Sequence, residues 1–251
     1  MNTKVYFIGA GPGDPELITV KGQRLIREAD LVLYAGSLVP QAIVAQAKAS
    51  ARVVDSAPLN LQETHALLME TVRQDGVAAR VHTGDPSIYG AVREQAMLLE
   101  QEGVSYEIIP GVTASLAAAA AARLSFTIPE ISQSLIITRL GGRTPVPEAE
   151  QLQELARHRC ALAVYLSGGD PETLADQLRT AGLPGHTPVV AAHKVGWPGQ
   201  QIIHTTLDQL NSDSLPPEMH RQTVFLILPG EDGSERFSKL YDHDFKHGFR
   251  P

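Results

Sequence analysis

The 251-residue sequence predicts an α/β protein built from two domains, and three observations carry that expectation. Short apolar, β-branched runs alternate with amphipathic stretches from end to end, the pattern of strands joined by helices. The runs fall into two sets of five, separated by a long break. The chain is also long for one domain and comfortable for two small ones.

The first set of expected strands covers residues 5–8, 31–34, 53–55, 78–82 and 106–109, and the second covers 135–138, 162–166, 189–192, 202–205 and 223–228. Helical periodicity is clearest at 61–73, 88–102, 148–157 and 172–180. Strands connected in this way pair mainly in parallel, so two mostly parallel or mixed five-stranded sheets are expected. The break at 110–130 opens on Pro110-Gly111, runs through the alanine-rich 116–122 and ends at Pro129. The expected division is an N-terminal α/β domain over 1–112, a C-terminal α/β domain over 113–230 and a polar tail over 231–251.

Composition narrows the classes of function. Hydrophobic residues make up 43% and charged residues 20%, so a substantial core can form without disulfides or a structural metal. The single cysteine, Cys160, precedes the apolar run 161–166 and reads as a buried strand-edge thiol, which suits a reducing cytoplasm. The N-terminus enters an apolar strand at once, so no targeting peptide is expected. The alanine-rich run is too short to cross a bilayer, and no membrane partner is expected. A net charge of −7 argues against nucleic acid as a partner.

Gly-Asp-Pro occurs three times, at 13–15, 84–86 and 169–171. Glycine permits a sharp turn, Asp caps a helix by accepting a backbone N–H, and Pro suits the first helical position. By position, all three turns fall at carboxyl ends of strands, where open α/β sheets bind ligands. A capping aspartate can also offer its second oxygen to a ligand, so the two roles are compatible. The stretch Gly9-Ala10-Gly11-Pro12-Gly13-Asp14 is a poor dinucleotide fingerprint: Asp14 stands where the third glycine belongs, and Pro12 removes an N–H.

Val5 through Pro15, followed by Leu17-Ile18-Thr19 and by Ala29 through Tyr34, resembles the opening of the tetrapyrrole (corrin/porphyrin) methylases. Val81 through Gly90 is similar to the central Gly-Asp-Pro loop of that family, and Pro110 through Ser115 to its Pro-Gly-x-Thr/Ser turn. The likeness runs over residues 4–230 with the motifs in family order. It implies two α/β domains with cofactor and substrate in the cleft between them, S-adenosyl-L-methionine as methyl donor, S-adenosyl-L-homocysteine as by-product, and a homodimer. The donor contacts it implies fall on Pro12, Thr83, Gly84, Asp85, Ile88, Thr113, Ala114 and Leu166, with a further contact near Val195. Within the family, residues 124–148 are similar to the members that methylate C11 of precorrin-4, giving precorrin-5 in cobalamin biosynthesis. Thr83, where uroporphyrinogen III methylases usually carry glycine, counts against that other assignment. The tail resembles enzymes of the metal-free branch, with the cobalt-containing substrate as the alternative.

The chemistry implied needs little from side chains. A sulfonium methyl is already electrophilic, and C11 becomes quaternary on methylation, so no proton leaves it and no catalytic residue is assigned beyond Asp85 as a candidate. The substrate is a polycarboxylate, which calls for cations. Arg139 and Arg143 are the first choices, because a guanidinium matches a carboxylate with two parallel hydrogen bonds. Arg80, His82 and Lys194 are further candidates, and Tyr34 and Tyr89 are placed to stack or hydrogen-bond. No metal is expected: His243 and His247 have helical ligand spacing but lie in a polar tail that reads as solvated. Two rivals from other classes are a nicotinamide-dependent reductase, which would bind NADH and no methyl donor, and a tetrapyrrole carrier, which would bind substrate and transfer nothing.

Overall fold

The computed structural model describes residues 4–230 together with 238, 245, 246 and 248. The histidine pair of the tail and most of the stretch 231–251 lie outside the described residues. Two compact units form, Met1–Ala117 with Lys194–Gln200, and Ala118–His193 with Gln201–Pro251. The division falls within an alanine-rich helix rather than before it. It also assigns seven residues from the second half of the chain to the first unit.

In the first unit the chain order is β1 (Val5–Gly9), α1 (Val20–Glu28), β2 (Leu31–Tyr34), α2 (Gln41–Val44), β3 (Arg52–Asp55), α3 (Leu61–Arg73), β4 (Ala78–His82), α4 (Val92–Gln101), β5 (Tyr106–Ile109) and the first residues of α5 (Ala114–Ala122), whose remainder is counted with the second unit. Its five strands form one wholly parallel sheet in the order β3-β2-β4-β1-β5. Successive side chains of a strand point to opposite faces. Accordingly Ile8, Val32 and Val81 pack with Leu25, Ile26 and Ile43, whereas Val5, Phe7 and Leu33 pack with Leu68, Met69 and Leu99. Apolar clusters on both faces explain why these strands are continuous apolar runs in the sequence.

The helix ends follow local chemistry. Asn60 and Glu63 form a reciprocal capping box at the start of α3. Thr19 accepts a hydrogen bond from Gly22 at the start of α1. The expected helix 88–102 begins only at Val92, because Tyr89 and Ala91 take left-handed φ values of 55° and 49° and break the turn before it.

The second unit carries β6 (Leu135–Arg139), α6 (Leu152–Ala156), β7 (Ala161–Tyr165), α7 (Pro171–Thr180), β8 (Pro188–His193), β9 (Gln201–Thr206) and β10 (Thr223–Ile227), with sheet order β6-β7-β10-β8-β9. Here parallel pairing is confined to β6 and β7; β10 runs antiparallel to β7 and β8, and β8 antiparallel to β9. The reason lies in the connections: the short link 194–200 returns β9 antiparallel to β8, and the longer link 207–222 carries the chain past β8 without an α-helix, so that β10 lies antiparallel to β8 on its other side. The expected helix 148–157 is split into a 3-10 turn (Glu148–Glu150) and α6, the break coming at extended Gln151. That bend lets Leu152 and Ala156 reach the core formed with Leu162, Leu174 and Phe225. Cys160 is half-buried against the same core, and burial raises its thiol above the ordinary value. Among the described residues no helix is long and apolar enough to cross a membrane.

Candidate functional site

Connections from β1 and β4, neighbours in the first sheet, leave in opposite directions: β1 leads toward β2 on one side, and β4 leads past β1 to β5 on the other. A crevice at the carboxyl ends of the strands is the usual ligand site of such a sheet. Three chain segments meet there. Gly11 and Gly84 exchange backbone hydrogen bonds of 3.2 and 2.8 Å, and the Ala10 N–H donates to the His82 carbonyl at 2.8 Å. The third segment follows β5, where the Gly111 N–H donates to Asp85 Oδ2 at 2.9 Å.

Glycine is required for this junction. A methyl group on Gly9 would come within 2.6 Å of both the Gly111 nitrogen and the Gly84 carbonyl oxygen. One on Gly111 would overlap that same carbonyl, and Gly84 itself sits at φ +60°. The backbones of the three loops therefore touch, which only residues without a Cβ allow.

Two of the three Gly-Asp-Pro aspartates cap helical turns, and the third does not. Asp14 accepts from the Glu16 N–H at 2.9 Å, and Asp170 from the Thr173 N–H at 3.1 Å at the start of α7. Asp85 does not start a helix. Its Oδ1 accepts from the Ser87 N–H at 2.9 Å and the Ser87 hydroxyl at 2.5 Å, while its Oδ2 takes the Gly111 N–H. The expectation that the middle turn leads straight into a helix is thus corrected: a turn over 86–89 intervenes before α4. Burial alone would raise the Asp85 carboxyl, but the bonds from Ser87 and Gly111 outweigh it and hold the group below its ordinary value.

Most of the residues implied as donor contacts belong to the first unit. Thr83, Gly84 and Asp85 form the turn after β4, and the Ile88 N–H donates to the Asp85 carbonyl at 3.2 Å. A Cβ on Gly84 would lie 3.7 Å from Thr113 Cα and 4.0 Å from the Ala114 nitrogen, so these residues adjoin the same turn. Pro12 and Val195 are also in this unit. Leu166 belongs to the second unit, directly after β7, with φ 53° and 72% of its surface exposed.

The candidate cations divide. Arg80 is largely buried on β4, where Nε donates to Gln95 at 3.0 Å and Nη1 to Ser56 Oγ at 2.9 Å and the Leu33 carbonyl at 3.3 Å. Burial lowers its pKa to about 10. These bonds brace the ends of β2 and β3. His82 is 4% exposed, and burial, with the neighbouring Arg80 charge, lowers its pKa to about 3. It therefore stays neutral near pH 7 and is corrected as a source of positive charge. Arg139, in the second unit, donates to the carbonyls of Leu140, Thr144 and Pro145 at 2.9–3.1 Å, so its guanidinium stitches its own loop. Arg143 is exposed in that loop. Tyr34 ends β2 half-buried, Tyr89 is 47% exposed at φ 55°, and Lys194 opens the returning segment at φ 47°.

Sequence reasoning missed Trp197. Its Nε1 donates to the Pro12 carbonyl at 2.9 Å, and its indole covers Gly13 so closely that a methyl group there would overlap the ring. The only signal in the sequence is that it is the sole tryptophan.

Residues 4–211 match the family of Tetrapyrrole (Corrin/Porphyrin) Methylases. A precorrin-4 C(11)-methyltransferase of Pseudomonas aeruginosa is 46% identical, with 98% of each chain covered. A solved cobalt precorrin-4 methyltransferase superposes with a TM-score of 0.87 at 45% identity, covering 90% of this chain and 94% of the other. A uroporphyrin-III C-methyl transferase from Thermus thermophilus, solved in complex with S-adenyl homocysteine, gives a TM-score of 0.74 at 26% identity over 90% and 97% of the two chains. Fold, motif order and a family match spanning most of the sequence agree: the chain belongs to the tetrapyrrole (corrin/porphyrin) methylases.

Proposed function

We propose that this protein transfers a methyl group from S-adenosyl-L-methionine to C11 of precorrin-4, yielding precorrin-5 in cobalamin biosynthesis. The observation that carries the reading is the glycine junction of the loops after β1, β4 and β5, at the carboxyl edge of a parallel sheet, in a chain of this family. The 46% identity with the Pseudomonas aeruginosa C(11)-methyltransferase supports the choice of ring position.

The residues present fit the donor: the turn offers backbone polar groups and the small residues Thr83, Gly84, Thr113 and Ala114, with no cluster of carboxylates to satisfy. When bound, the donor supplies an electrophilic methyl carbon on a sulfonium. The protein's own share is then positioning. Holding two reactants in line is worth up to about 7–11 kcal/mol in favourable cases, and loops locked backbone to backbone suit that task. Asp85 accepts three hydrogen bonds from its own chain, which supports a bracing role rather than that of a base. C11 itself loses no proton on becoming quaternary, so no base is required at that carbon; the positive charge that the methyl brings is left on the ring nitrogens and is shed as an N–H proton to solvent. In this reading Arg143 faces a substrate carboxylate, and the protein works as a cytoplasmic homodimer, as the likeness to the family implies.

The cobalt-containing substrate is the second reading, favoured by the likeness to the solved cobalt precorrin-4 methyltransferase. A central metal leaves the peripheral carboxylates unchanged, so a carboxylate-reading site accepts either form. Calorimetry with S-adenosylhomocysteine, then mass spectrometry of the products from metal-free and cobalt-containing substrate, tests both. Absence of donor binding, or of a methylated product from either substrate, refutes the proposal.

A further inference from the structure

We infer that Trp197 is a positioning residue for the methyl donor, setting the orientation of the Pro12–Gly13 peptide beside the donor turn. The inference rests on the donor site proposed above and adds to it a residue that lies outside the motifs of the sequence.

Trp197 sits in the segment Lys194–Gln200, which links β8 to β9 yet is compact with the first unit. Its indole Nε1–H donates to the Pro12 carbonyl at 2.9 Å. A peptide unit is planar and trans, so its carbonyl and its N–H point to opposite sides. Pinning the Pro12 carbonyl from one side therefore directs the Gly13 N–H to the other. The neighbouring residue cannot do this work, because Pro12 has no N–H through which its loop could be tied.

Packing makes the contact specific. A methyl group on Gly13 would overlap Cδ1, Nε1 and Cγ of the indole, so glycine alone lets the ring lie on the loop. On the other side of the contact, Gly196 is at φ +78°, and a methyl group there would come within 2.7 Å of the Asp14 nitrogen. The segment is held in shape by its own bonds: the Trp197 N–H donates to the Lys194 carbonyl at 2.9 Å, the Gln200 N–H to the Trp197 carbonyl at 3.1 Å, and the Gly196 N–H to Gln200 Oε1 at 2.8 Å. Two glycines and one indole thus form a fitted contact where a loose surface loop would need none of them.

The experiment uses the full chain, calorimetry with S-adenosylhomocysteine, and fluorescence of the sole tryptophan. Wild type binds, and its emission shifts on binding. Trp197→Phe keeps an aromatic ring but loses the N–H, and its Kd rises about five- to tenfold, the effect of one hydrogen bond. Trp197→Ala raises Kd further, and KM for the donor rises in both variants while kcat at saturating donor changes less than twofold. Gly13→Ala weakens binding in the wild-type background but adds little in the Trp197→Ala background, because the clash is gone. Circular dichroism confirms folding, and Trp197→Phe carries the test if Trp197→Ala does not fold. Wild-type Kd in folded Trp197→Phe and Trp197→Ala overturns the inference, as does an equal effect of Gly13→Ala in both backgrounds. Failure of the wild type itself to bind refutes the donor site, and this inference with it.

Discussion

Replacing Asp85 with alanine separates its bracing role from any catalytic one. The carboxylate accepts the Gly111 N–H at 2.9 Å and two donors of Ser87, so the variant leaves three donors without their acceptor. The Ser87 groups are exposed and regain water, so they contribute little. The Gly111 N–H is partly buried, and a hydrogen bond to a charged acceptor is worth about 1.5–3 kcal/mol. The expected loss is therefore about 1.5–3 kcal/mol, or about 3–12 °C in melting temperature for a chain of this size. The carboxyl titrates below its ordinary value of 3.8 in the folded state, so its contribution is present above that value and is lost as pH falls through the folded one. Urea unfolding at pH 7 and at pH 3 checks both points: the gap between wild type and variant narrows at the lower pH, and donor affinity at pH 7 drops as the loops part. An unchanged midpoint at pH 7 would refute the bracing argument, and so would a gap of equal size at both pH values.

The two loop arginines separate in the same kind of assay. Arg139→Ala removes three bonds to loop carbonyls and lowers stability by about 1–3 kcal/mol, whereas Arg143→Ala leaves the melting temperature unchanged and weakens tetrapyrrole binding about tenfold without affecting the donor. Equal melting temperatures for both variants would contradict this. Arg80→Met costs about 1–3 kcal/mol through the lost contacts to Gln95, Ser56 and Leu33, measured by urea midpoint, and a loss of tetrapyrrole affinity in a fully folded sample would show that the bracing account is incomplete. His82→Phe tests acid sensitivity. The buried imidazole refuses a proton until about pH 3 while the unfolded chain takes one at 6.5, so wild-type stability falls through this group by at most about 1.4 kcal/mol per pH unit below 6.5. The variant shows a shallower decline between pH 6.5 and 5, and an unchanged slope counts against the assignment.

The strands were legible because each is a compact apolar run; β2, β4 and β5 occupy the residues that pattern marks, and the other strands differ by one or two residues at their ends. Helix α1 was harder to see, since Gly22 interrupts it and only Gly22, Leu25 and Ile26 are buried along it. The antiparallel pairing of β10 was not legible at all. Direction is set by how the chain returns, and a buried antiparallel strand has the same composition as a buried parallel one. Among candidate site residues, the Gly-Asp-Pro turns announce themselves by composition, but nothing in the composition connects Asp85 with Gly111, 26 residues further along the chain. The bonds of Arg80 and Arg139 to carbonyls of their own chain were not legible, because an arginine that braces carbonyls and one that binds a carboxylate have the same letter. Trp197 is 185 residues from Pro12, and no local pattern connects them.

The distribution of constraint in the first unit agrees with the chemistry proposed for it. A reaction that moves protons would concentrate its sensitivity in titratable side chains, poised by burial near neutral pH. Here the buried histidine is held neutral, the half-buried arginine braces strand ends, and Asp85 accepts three bonds from donors of its own chain. The backbones of Gly9, Gly84 and Gly111 instead meet more closely than a Cβ on Gly9 or Gly111 would allow. A methyl transfer to a carbon that loses no proton gains from fixed distance and direction, and fixed backbone supplies both. Substitution of Gly111 by alanine, which would drive a methyl group into the Gly84 carbonyl, should therefore damage donor binding more than the loss of any single ionisable group in the unit.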